Sequence, residues 1–298
     1  MAGAGSGKTR VLTQRIAWLI KQGTHPTRIL AITFTNKAAD EMRHRVEELV
    51  GPVAKSMWVT TFHKACVRIL RAHAEQLGYP KSFTIYDSQD SKRLVGYVVR
   101  DLGLDPKRAG AMDFDDLLVN VVHLFELHPN VLNHYQERFE HVLIDEYQDT
   151  NLAQNRIVLM LGAKHHNVCV VGDSDQSIYK FRGADLRNID QFETAFPDVT
   201  VVVLAQNYRS TQTILTAANA VISQNTERRP KNLWTAHGEG DRIVRFYADD
   251  EYDEANFVGD NARDIHEKQG RRWGDIAVMY RTNAQSRTCL LYTSPSPR

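Results

Sequence analysis

Short apolar runs rich in β-branched residues alternate along this chain with longer stretches whose apolar residues recur at helical spacing. Strands are predicted at residues 28–33, 57–60, 141–144, 167–171, 200–204, 242–248 and 275–280. Helices are predicted near residues 9–22, 36–50, 62–77, 88–102, 113–127, 151–162, 211–224 and 252–268. This alternation predicts an α/β fold in which helices cover both faces of a parallel sheet.

A glycine-rich segment near the start of the chain is the first candidate for chemistry. Residues 2–9 are Ala-Gly-Ala-Gly-Ser-Gly-Lys-Thr and lead into a predicted helix. Glycine adopts positive φ without a Cβ clash, so backbone N–H groups in such a turn can converge on phosphate groups. Lys8 would meet the β and γ phosphates of a nucleotide, and the Thr9 hydroxyl would bind Mg²⁺. Ala2 stands where the strict form of this motif has its first glycine.

An acidic pair, Asp145 and Glu146, directly follows the predicted strand at residues 141–144. Carboxylates at the end of a buried strand can bind a metal ion and can orient or deprotonate water. We assign one carboxylate to each task. Together with the glycine-rich segment, the acidic pair predicts an ATP-driven motor.

Composition and charge set broader limits. The chain has 298 residues, of which 42% are hydrophobic and 24% charged, which is ordinary for a soluble globular protein with room for two domains. The net charge is only +1, so any nucleic-acid-binding surface must be a local groove. The scattered cysteines, Cys66, Cys169 and Cys289, argue against a disulfide framework or a zinc site and favour the cytoplasm. No apolar run approaches the ~18 residues that would span a membrane.

Further motifs indicate which motor this is. Residues 172–183 are Gly-Asp-Ser-Asp-Gln-Ser-Ile-Tyr-Lys-Phe-Arg-Gly, and residues 206–211 are Gln-Asn-Tyr-Arg-Ser-Thr; each follows a predicted strand. With the segments at 32–39, 60–63 and 145–150, they closely resemble the ordered motifs of superfamily 1A DNA helicases of the UvrD, PcrA and Rep type. The resemblance extends from residue 2 to about residue 288. It implies RecA-like domains built on P-loop NTPase sheets.

The resemblance implies a site for ATP and Mg²⁺. Glu146 is expected to be the base for the attacking water, and Thr9 and Asp145 are expected to bind the metal. Gln176 would couple the γ-phosphate to the DNA site, while Arg182 and Arg209 would sense that phosphate. Tyr208 would stack on adenine. The residues expected to bind the nucleotide are Ala2, Gly3, Ala4, Gly5, Ser6, Gly7, Lys8, Thr9, Arg10 and Tyr208.

The resemblance also implies a path for single-stranded DNA. Aromatic side chains suit such a path, because every base offers a π face worth ~1–3 kcal/mol in stacking without sequence preference. The implied partners are single-stranded DNA and its junctions with duplex DNA, with 3′ to 5′ movement in repair or replication. The family usually has Trp at the position of Phe181, so stacking there should be weaker. The matching positions are Phe34, Asn36, Phe62, His63, Tyr179 and Phe181.

Each of these residues also has an ordinary structural interpretation. Phe34 and Phe62 could be core residues, and His63 could be a satisfied structural histidine. Arg182 and Arg209 could be surface ion-pair partners of little energetic weight. Tyr208 could pack between domains. The functional interpretation is favoured because all the motifs occur together and in order.

The resemblance predicts a domain organisation. Residues 1–76 and 111–204 correspond to the first motor domain without its first strand, 77–110 to a remnant of the helical 1B subdomain, and 205–288 to the start of the second motor domain. Residues 289–298 resemble a translated sequencing adapter. The chain is therefore expected to be a gene fragment with an internal deletion near residue 109, and to hydrolyse ATP weakly or not at all.

Other functions remain open from the sequence. The motor subunit of a recombination helicase-nuclease shares these motifs, and a nuclease domain downstream would identify it. A non-catalytic DNA-binding remnant is a further alternative, which an ATPase assay with and without single-stranded DNA would distinguish. A P-loop kinase or GTPase is disfavoured, because no acceptor site or guanine-reading motif accompanies the glycine-rich segment.

Overall fold

A computed structural model describes residues 2–87, 89–90, 111–225 and 231–293. The chain divides into two compact units, Met1–Gly240 and Asp241–Arg298. The predicted helix at 88–102 and most of the predicted 1B remnant lie outside the described residues. No described helix is long and apolar enough to cross a membrane.

The secondary structure of the described residues is as follows. The strands are β1 (Ile29–Thr33), β2 (Trp58–Thr61), β3 (Thr84–Ile85), β4 (Ala111–Met112), β5 (His141–Ile144), β6 (Val168–Val170), β7 (Gln206–Asn207) and β8 (Trp234–Thr235). The α-helices are α1 (Lys8–Lys21), α2 (Asn36–Val50), α3 (Phe62–His73), α4 (Phe114–Leu127), α5 (Pro129–Arg138), α6 (Leu152–Gly162), α7 (Arg187–Ala195), α8 (Gln212–Ile222), α9 (Glu251–Gln269) and α10 (Asn283–Thr293).

The first unit is built on a four-stranded parallel sheet with the order β2-β1-β5-β6. Ile32 of β1 pairs with Thr60 of β2 on one side and with Ile144 of β5 on the other. Two shorter parallel pairs, β3 with β4 and β7 with β8, complete the strand pairing among the described residues. The predicted α/β fold with a parallel sheet is confirmed.

Helices cover both faces of this sheet, which explains why β1 is buried along its whole length. Leu30 and Ile32 belong to an apolar cluster that also takes side chains from α3, α4, α5, α6 and α7. Ile29 and Ala31 belong to the cluster on the opposite face, with side chains from α1 and α2. Alternate residues of one strand therefore join two separate cores.

The predicted strand at residues 200–204 is wrong for most of its length. Only Leu204 makes a β-type contact, an isolated parallel bridge to Ala2, and the side chains of Val201, Val202 and Val203 are half or more exposed. A cavity of about 650 Å³ is lined both by this segment and by β6. An apolar run becomes a strand only when a neighbouring strand is within hydrogen-bonding distance.

The helix predictions within the described residues are mostly confirmed, with three omissions, the helices α5, α7 and α10. Of these, α5 carries a local signal, because Pro129 at its first turn is a typical helix start. The helix α4 begins where it is predicted. Asp113 and Asp116 form a capping box there, in which each side chain accepts a hydrogen bond from a backbone N–H. The capping residue of α6 is Asn151, which forms a capping box with Gln154.

The second unit contains α9 and α10. The Asp250 side chain accepts hydrogen bonds from the backbone N–H groups of Tyr252 and Asp253 and so caps α9. Phe257 of α9 stacks on Phe246, with ring centroids 4.0 Å apart. The strands predicted at 242–248 and 275–280 do not form in the described part of the chain, and helix α10 extends into the predicted adapter tail.

Truncating a core leucine tests the packing of the first unit. Leu70 of α3 is fully buried, whereas Leu127 at the end of α4 is 68% exposed. We expect Leu70→Ala to lower the free energy of unfolding by about 2–5 kcal/mol, because it removes buried methyl groups and leaves a cavity. Leu127→Ala should change it by no more than ~0.5 kcal/mol. Urea unfolding measures both; equal shifts would contradict this packing.

Candidate phosphate-binding and catalytic site

The glycine-rich segment forms a tight loop that ends at the N-terminus of α1. Gly5 and Gly7 adopt φ of 68° and 86°, a region that glycine occupies without strain. The Ser6 hydroxyl donates to the Gly3 carbonyl at 2.7 Å and closes the loop. The first N–H groups of a helix lack partners within the helix and carry a positive partial charge. The loop and the start of α1 therefore form a site suited to an anion.

The two charged motifs, far apart in sequence, meet at this loop. The Lys8 ammonium donates to Glu146 Oε2 at 2.7 Å. The Thr9 hydroxyl donates to Asp145 Oδ2 at 2.9 Å. The acidic pair directly follows β5, so the carboxyl end of this strand lies beside the start of α1. The structure therefore brings these four side chains together at the start of α1.

Glu146 has an unusual backbone conformation. Its φ is 51°, in the left-handed region that residues with a Cβ rarely adopt. Its N–H donates to Asp145 Oδ1 at 3.0 Å, and the Asp145 N–H continues the sheet by donating to the Ile32 carbonyl at 2.9 Å. Strained conformations of this kind concentrate at functional sites. The turn directs the Glu146 carboxylate toward Lys8.

Gln148 links the acidic residues, and sequence reasoning gave it no role. It is almost fully buried, and its amide nitrogen donates to Glu146 Oε2 at 2.8 Å and to Asp149 Oδ2 at 3.2 Å. Its amide oxygen accepts from the Asp173 N–H at 2.9 Å. A buried amide with both ends occupied fixes the groups it joins. The motif at 145–150 contains Gln148, but sequence spacing cannot show where an amide points.

Burial raises the pKa of two carboxyl groups here. The pKa of Asp145 is raised, first by burial and then by the neighbouring charge of Glu146, while the Thr9 hydroxyl opposes the shift. Burial, followed by the Glu146 charge, raises the pKa of Asp149 from 3.8 to about 6. Perturbed carboxyl groups grouped in this way are typical of catalytic sites.

Gln176 lies in the loop that follows β6. Its side-chain amide donates to Asp173 Oδ2, and Asp173 in turn donates its N–H to Gln148. A continuous set of hydrogen bonds therefore joins Gln176 to Glu146. This contact agrees with the predicted coupling role of Gln176 but leaves that role a prediction.

Tyr208 and Arg209 lie directly against the glycine-rich loop. The Tyr208 N–H donates to the Gly5 carbonyl at 2.9 Å, and the Asn207 amide nitrogen donates to the Ala4 carbonyl at 2.6 Å. The Asn207 amide oxygen accepts from the N–H of Arg209 at 2.8 Å. Tyr208 is 62% exposed, so its ring is accessible to an aromatic ligand. The Asn207 side chain therefore joins the Arg209 backbone to the glycine-rich loop, a role that sequence reasoning missed.

Three predicted DNA-binding aromatics form one cluster. The rings of Phe34 and Tyr179 lie 5.1 Å apart, and those of Tyr179 and Phe181 lie 6.0 Å apart. The Arg182 guanidinium lies 5.5 Å from the Tyr179 ring and 5.6 Å from the Phe181 ring. The structure therefore places Arg182 in this aromatic cluster, and its predicted contact with the terminal phosphate remains a prediction.

The remaining predicted residues lie in different surroundings. Phe62 is 3% exposed and packs in the core, so its ring offers no face to a base; here the ordinary structural interpretation is correct. His63 is half-buried, its ring lies edge-on to Phe114, and burial lowers its pKa. Asn36 is exposed at the first turn of α2, after the capping Thr35. Arg10 is exposed on the first turn of α1.

The chemistry of the oxygen donors fits Mg²⁺. Thr9 and Asp145 present a hydroxyl and a carboxylate side by side, both hard donors. Within the described ranges no group of three or more His, Cys, Asp and Glu residues could hold a metal by itself. Mg²⁺ commonly binds through one or two protein oxygens together with substrate phosphates and water. The two residues therefore suit a metal that arrives with a nucleotide.

The chain is similar to proteins of a known family. The family described as the UvrD/REP helicase N-terminal domain matches residues 1–110 and 97–197, and the UvrD-like helicase C-terminal domain matches residues 202–290. The chain is 45% identical over 338 residues to the ATP-dependent DNA helicase PcrA of Staphylococcus aureus. The alignment covers 96% of this chain and 46% of that protein. It is 44% identical over 336 residues to PcrA of Bacillus subtilis, with the same coverage.

The chain spans about half the length of the curated relatives that it matches. The matched region of 338 residues is also longer than this chain of 298 residues. The alignment therefore includes positions of the relatives that have no counterpart here, and the expected deletion near residue 109 stays a prediction.

The raised pKa of Asp149 predicts how stability depends on pH. A carboxyl whose folded pKa is raised contributes stability below its unfolded pKa, and this is lost as pH rises through the folded pKa. Asp149→Asn removes this pH dependence. The free energy of unfolding of the variant, relative to that of the native chain, should therefore rise by about 1–2 kcal/mol between pH 4 and pH 7. This magnitude allows for the partial solvation of the Asp149 carboxyl. Urea unfolding at several pH values measures this. A difference that stays constant would contradict the assignment.

Proposed function

We propose a function from one premise: the chain belongs to the UvrD/REP helicase family. The function is ATP-dependent movement on single-stranded DNA, with unwinding of adjoining duplex in the 3′ to 5′ direction, in repair or replication. The observation that carries this proposal is the meeting of Lys8 with Glu146 and of Thr9 with Asp145 at the N-terminus of α1. The relatives named above are DNA helicases, which favours this function over a helicase-nuclease subunit.

The glycine-rich loop and α1 would bind the nucleotide phosphates. Lys8 donates to Glu146 Oε2, so a terminal phosphate placed there competes with Glu146 for the same ammonium. A phosphate that takes over this ammonium frees the carboxylate to accept a proton from water. Binding of the nucleotide would therefore release the Glu146 carboxylate from Lys8 at the same time. Tyr208 would stack on the base of the nucleotide, and Arg209 would reach its phosphates from the other side of the loop.

Thr9 and Asp145 would hold Mg²⁺, which when bound neutralises phosphate charge and orients the transferred group. The protein's own task is to keep these two oxygens adjacent. Burial of Asp145 helps, because a carboxylate with a raised pKa and few waters gains more from a cation than an exposed one does. The backbone turn at Glu146 holds the second carboxylate beside Lys8, where it would accept a proton from water once a phosphate has taken the ammonium.

The aromatic cluster of Phe34, Tyr179 and Phe181 would contact the bases. Phe34 follows β1 and Tyr179 follows β6, so the cluster forms where two strands of the same sheet end. Tyr179 lies three residues beyond Gln176, the residue joined by hydrogen bonds to Glu146. Movement of this loop during hydrolysis would therefore change the grip on DNA.

We expect hydrolysis by the 298-residue chain to be slow. The glycine-rich loop lies beside the cavity between β6 and residues 200–204, where it is anchored through Ala2 to Gly172 and Leu204. A loop held in this way positions phosphates less firmly than one held by a fully paired strand. Turnover is therefore best measured with protein in excess over ATP.

Substitutions of Glu146 and Lys8 test the proposed chemistry. Glu146→Gln should bind a fluorescent ATP analogue within about threefold of the native chain and release phosphate ~10²-fold more slowly, because the general base is lost. Lys8→Ala should weaken binding ~10-fold or more, because the phosphate loses its cation. Glu126→Gln, which alters an exposed ion pair with Arg156, serves as the control. Native phosphate release from Glu146→Gln, or native binding by Lys8→Ala, would refute the assignments.

Removal of an aromatic ring tests the DNA site. Tyr179→Ala should weaken binding of a labelled single-stranded oligonucleotide ~10-fold, since one stacked base contributes ~1–3 kcal/mol. Trp18→Ala is the matched control, because Trp18 is 55% exposed on α1 and lies outside the cluster. Fluorescence anisotropy measures both affinities. If the two variants bind with the same affinity, the cluster is not the DNA-binding surface.

A further inference from the structure

Lys231 is a buried lysine to which the sequence motifs assign no role. Its side chain is 4% exposed, and its ammonium donates to Asp173 Oδ1. The same ammonium lies 3.0 Å from Asp175 Oδ2. Removing an ammonium group from water is costly unless opposite charges surround it, and here two carboxylates do so. Both carboxylates belong to the loop that carries Gln176.

Lys231 belongs to the segment that leads into β8. Trp234 of β8 pairs with Gln206 of β7, and Thr235 pairs with Asn207. The strand β7 leads directly to Tyr208 and Arg209. Through the pairing of β7 with β8, the position of Lys231 is therefore tied to the position of Arg209.

Asp173 connects Lys231 to the catalytic side of the site. It accepts from the Lys231 ammonium and from the Gln176 amide, and its N–H donates to Gln148. Gln148 in turn donates to Glu146 Oε2 at 2.8 Å. Lys231 therefore stands at one end of a set of hydrogen bonds that reaches the proposed base.

The same segment also touches the glycine-rich loop. A Cβ added at Gly3 would lie 2.5 Å from the Leu233 Cδ1 atom, so Leu233 packs closely on the loop backbone. Residues 231–235 thus contact the glycine-rich loop, the Gln176 loop and β7. These are the elements that would surround the terminal phosphate.

We propose that Lys231 is a positioning residue that sets Gln176 and Arg209 at the distance required by a terminal phosphate. This proposal rests on the proposed function of the site. By bridging Asp173 and Asp175 to the segment before β8, Lys231 fixes the loop and β7 in one arrangement. Stability alone gives a poor reason for such a bridge, because replacing buried ion pairs with apolar residues often leaves stability unchanged or improved.

Nucleotide discrimination provides the first test. The ratio of the Kd for ADP to the Kd for AMP-PNP reports how much the terminal phosphate contributes to binding. In Lys231→Met this ratio should fall at least about fivefold, while the Kd for ADP stays within about twofold of the native value. Lys231→Arg, which keeps the charge, should retain more than half of the ratio. Lys55→Met is the control, because Lys55 pairs with Glu47 on the surface of the same unit.

Hydrogen exchange without nucleotide provides the second test. In Lys231→Met, backbone amides at 172–178 and 205–210 should exchange ~10-fold faster than in the native chain, because both segments lose a shared anchor. Lys55→Met should leave their exchange unchanged. The double variant Lys231→Met/Asp175→Asn keeps the net charge of the cluster and should show the same losses, which keeps the test available if the single variant does not fold.

The outcomes separate the two proposals. A native chain that binds neither nucleotide refutes the proposed function, while hydrogen exchange still tests the anchor. A native ratio and native exchange in Lys231→Met refute the role of Lys231 and leave the nucleotide site intact. An equal loss of ADP and AMP-PNP affinity also refutes it, since a residue that serves only folding would weaken both.

Discussion

The contact between the Lys8 ammonium and the Glu146 carboxylate is the interaction on which the site depends. It joins the first turn of α1 to the turn after β5, and the adjacent contact of Thr9 with Asp145 runs in parallel with it. A lysine with 9% side-chain exposure must have an anionic partner, so whatever binds there must either leave Glu146 in place or replace it. The chemistry proposed for the site follows from that competition.

A second set of contacts extends from this pair. Gln148 connects Glu146 to Asp173, and Asp173 connects to Gln176 and Lys231. Each member is buried or half-buried, so each polar group has to find its partner within the network. Such a network can transmit a change at the phosphate site to the loop that carries Tyr179. The aromatic cluster then provides a surface on which that change alters contact with bases.

Sequence patterns predicted the elements whose signals are local. The strand β1 and the helices α1 and α2 form as expected: β1 is a continuous buried run, α1 has apolar residues at helical spacing, and α2 is capped by the Thr35 side chain. Residues 200–204 show the same apolar character, yet they are not a strand, because strand formation depends on a neighbour supplied from elsewhere. The prediction that the Phe62 ring contacts DNA is wrong for a related reason, because nothing in the local sequence shows that this ring enters the core. Gln148, Asn207 and Lys231 were missed because their roles depend on the direction of a side chain.

A crystal structure of the chain with AMP-PNP and Mg²⁺ would test the central claim most directly. The account predicts a terminal phosphate within hydrogen-bonding distance of the Lys8 ammonium, the metal between Thr9 and Asp145, and the Glu146 carboxylate released from Lys8 and facing water. A nucleotide bound away from the N-terminus of α1, or a Lys8 contact to Glu146 that persists unchanged beside the bound triphosphate, would contradict it.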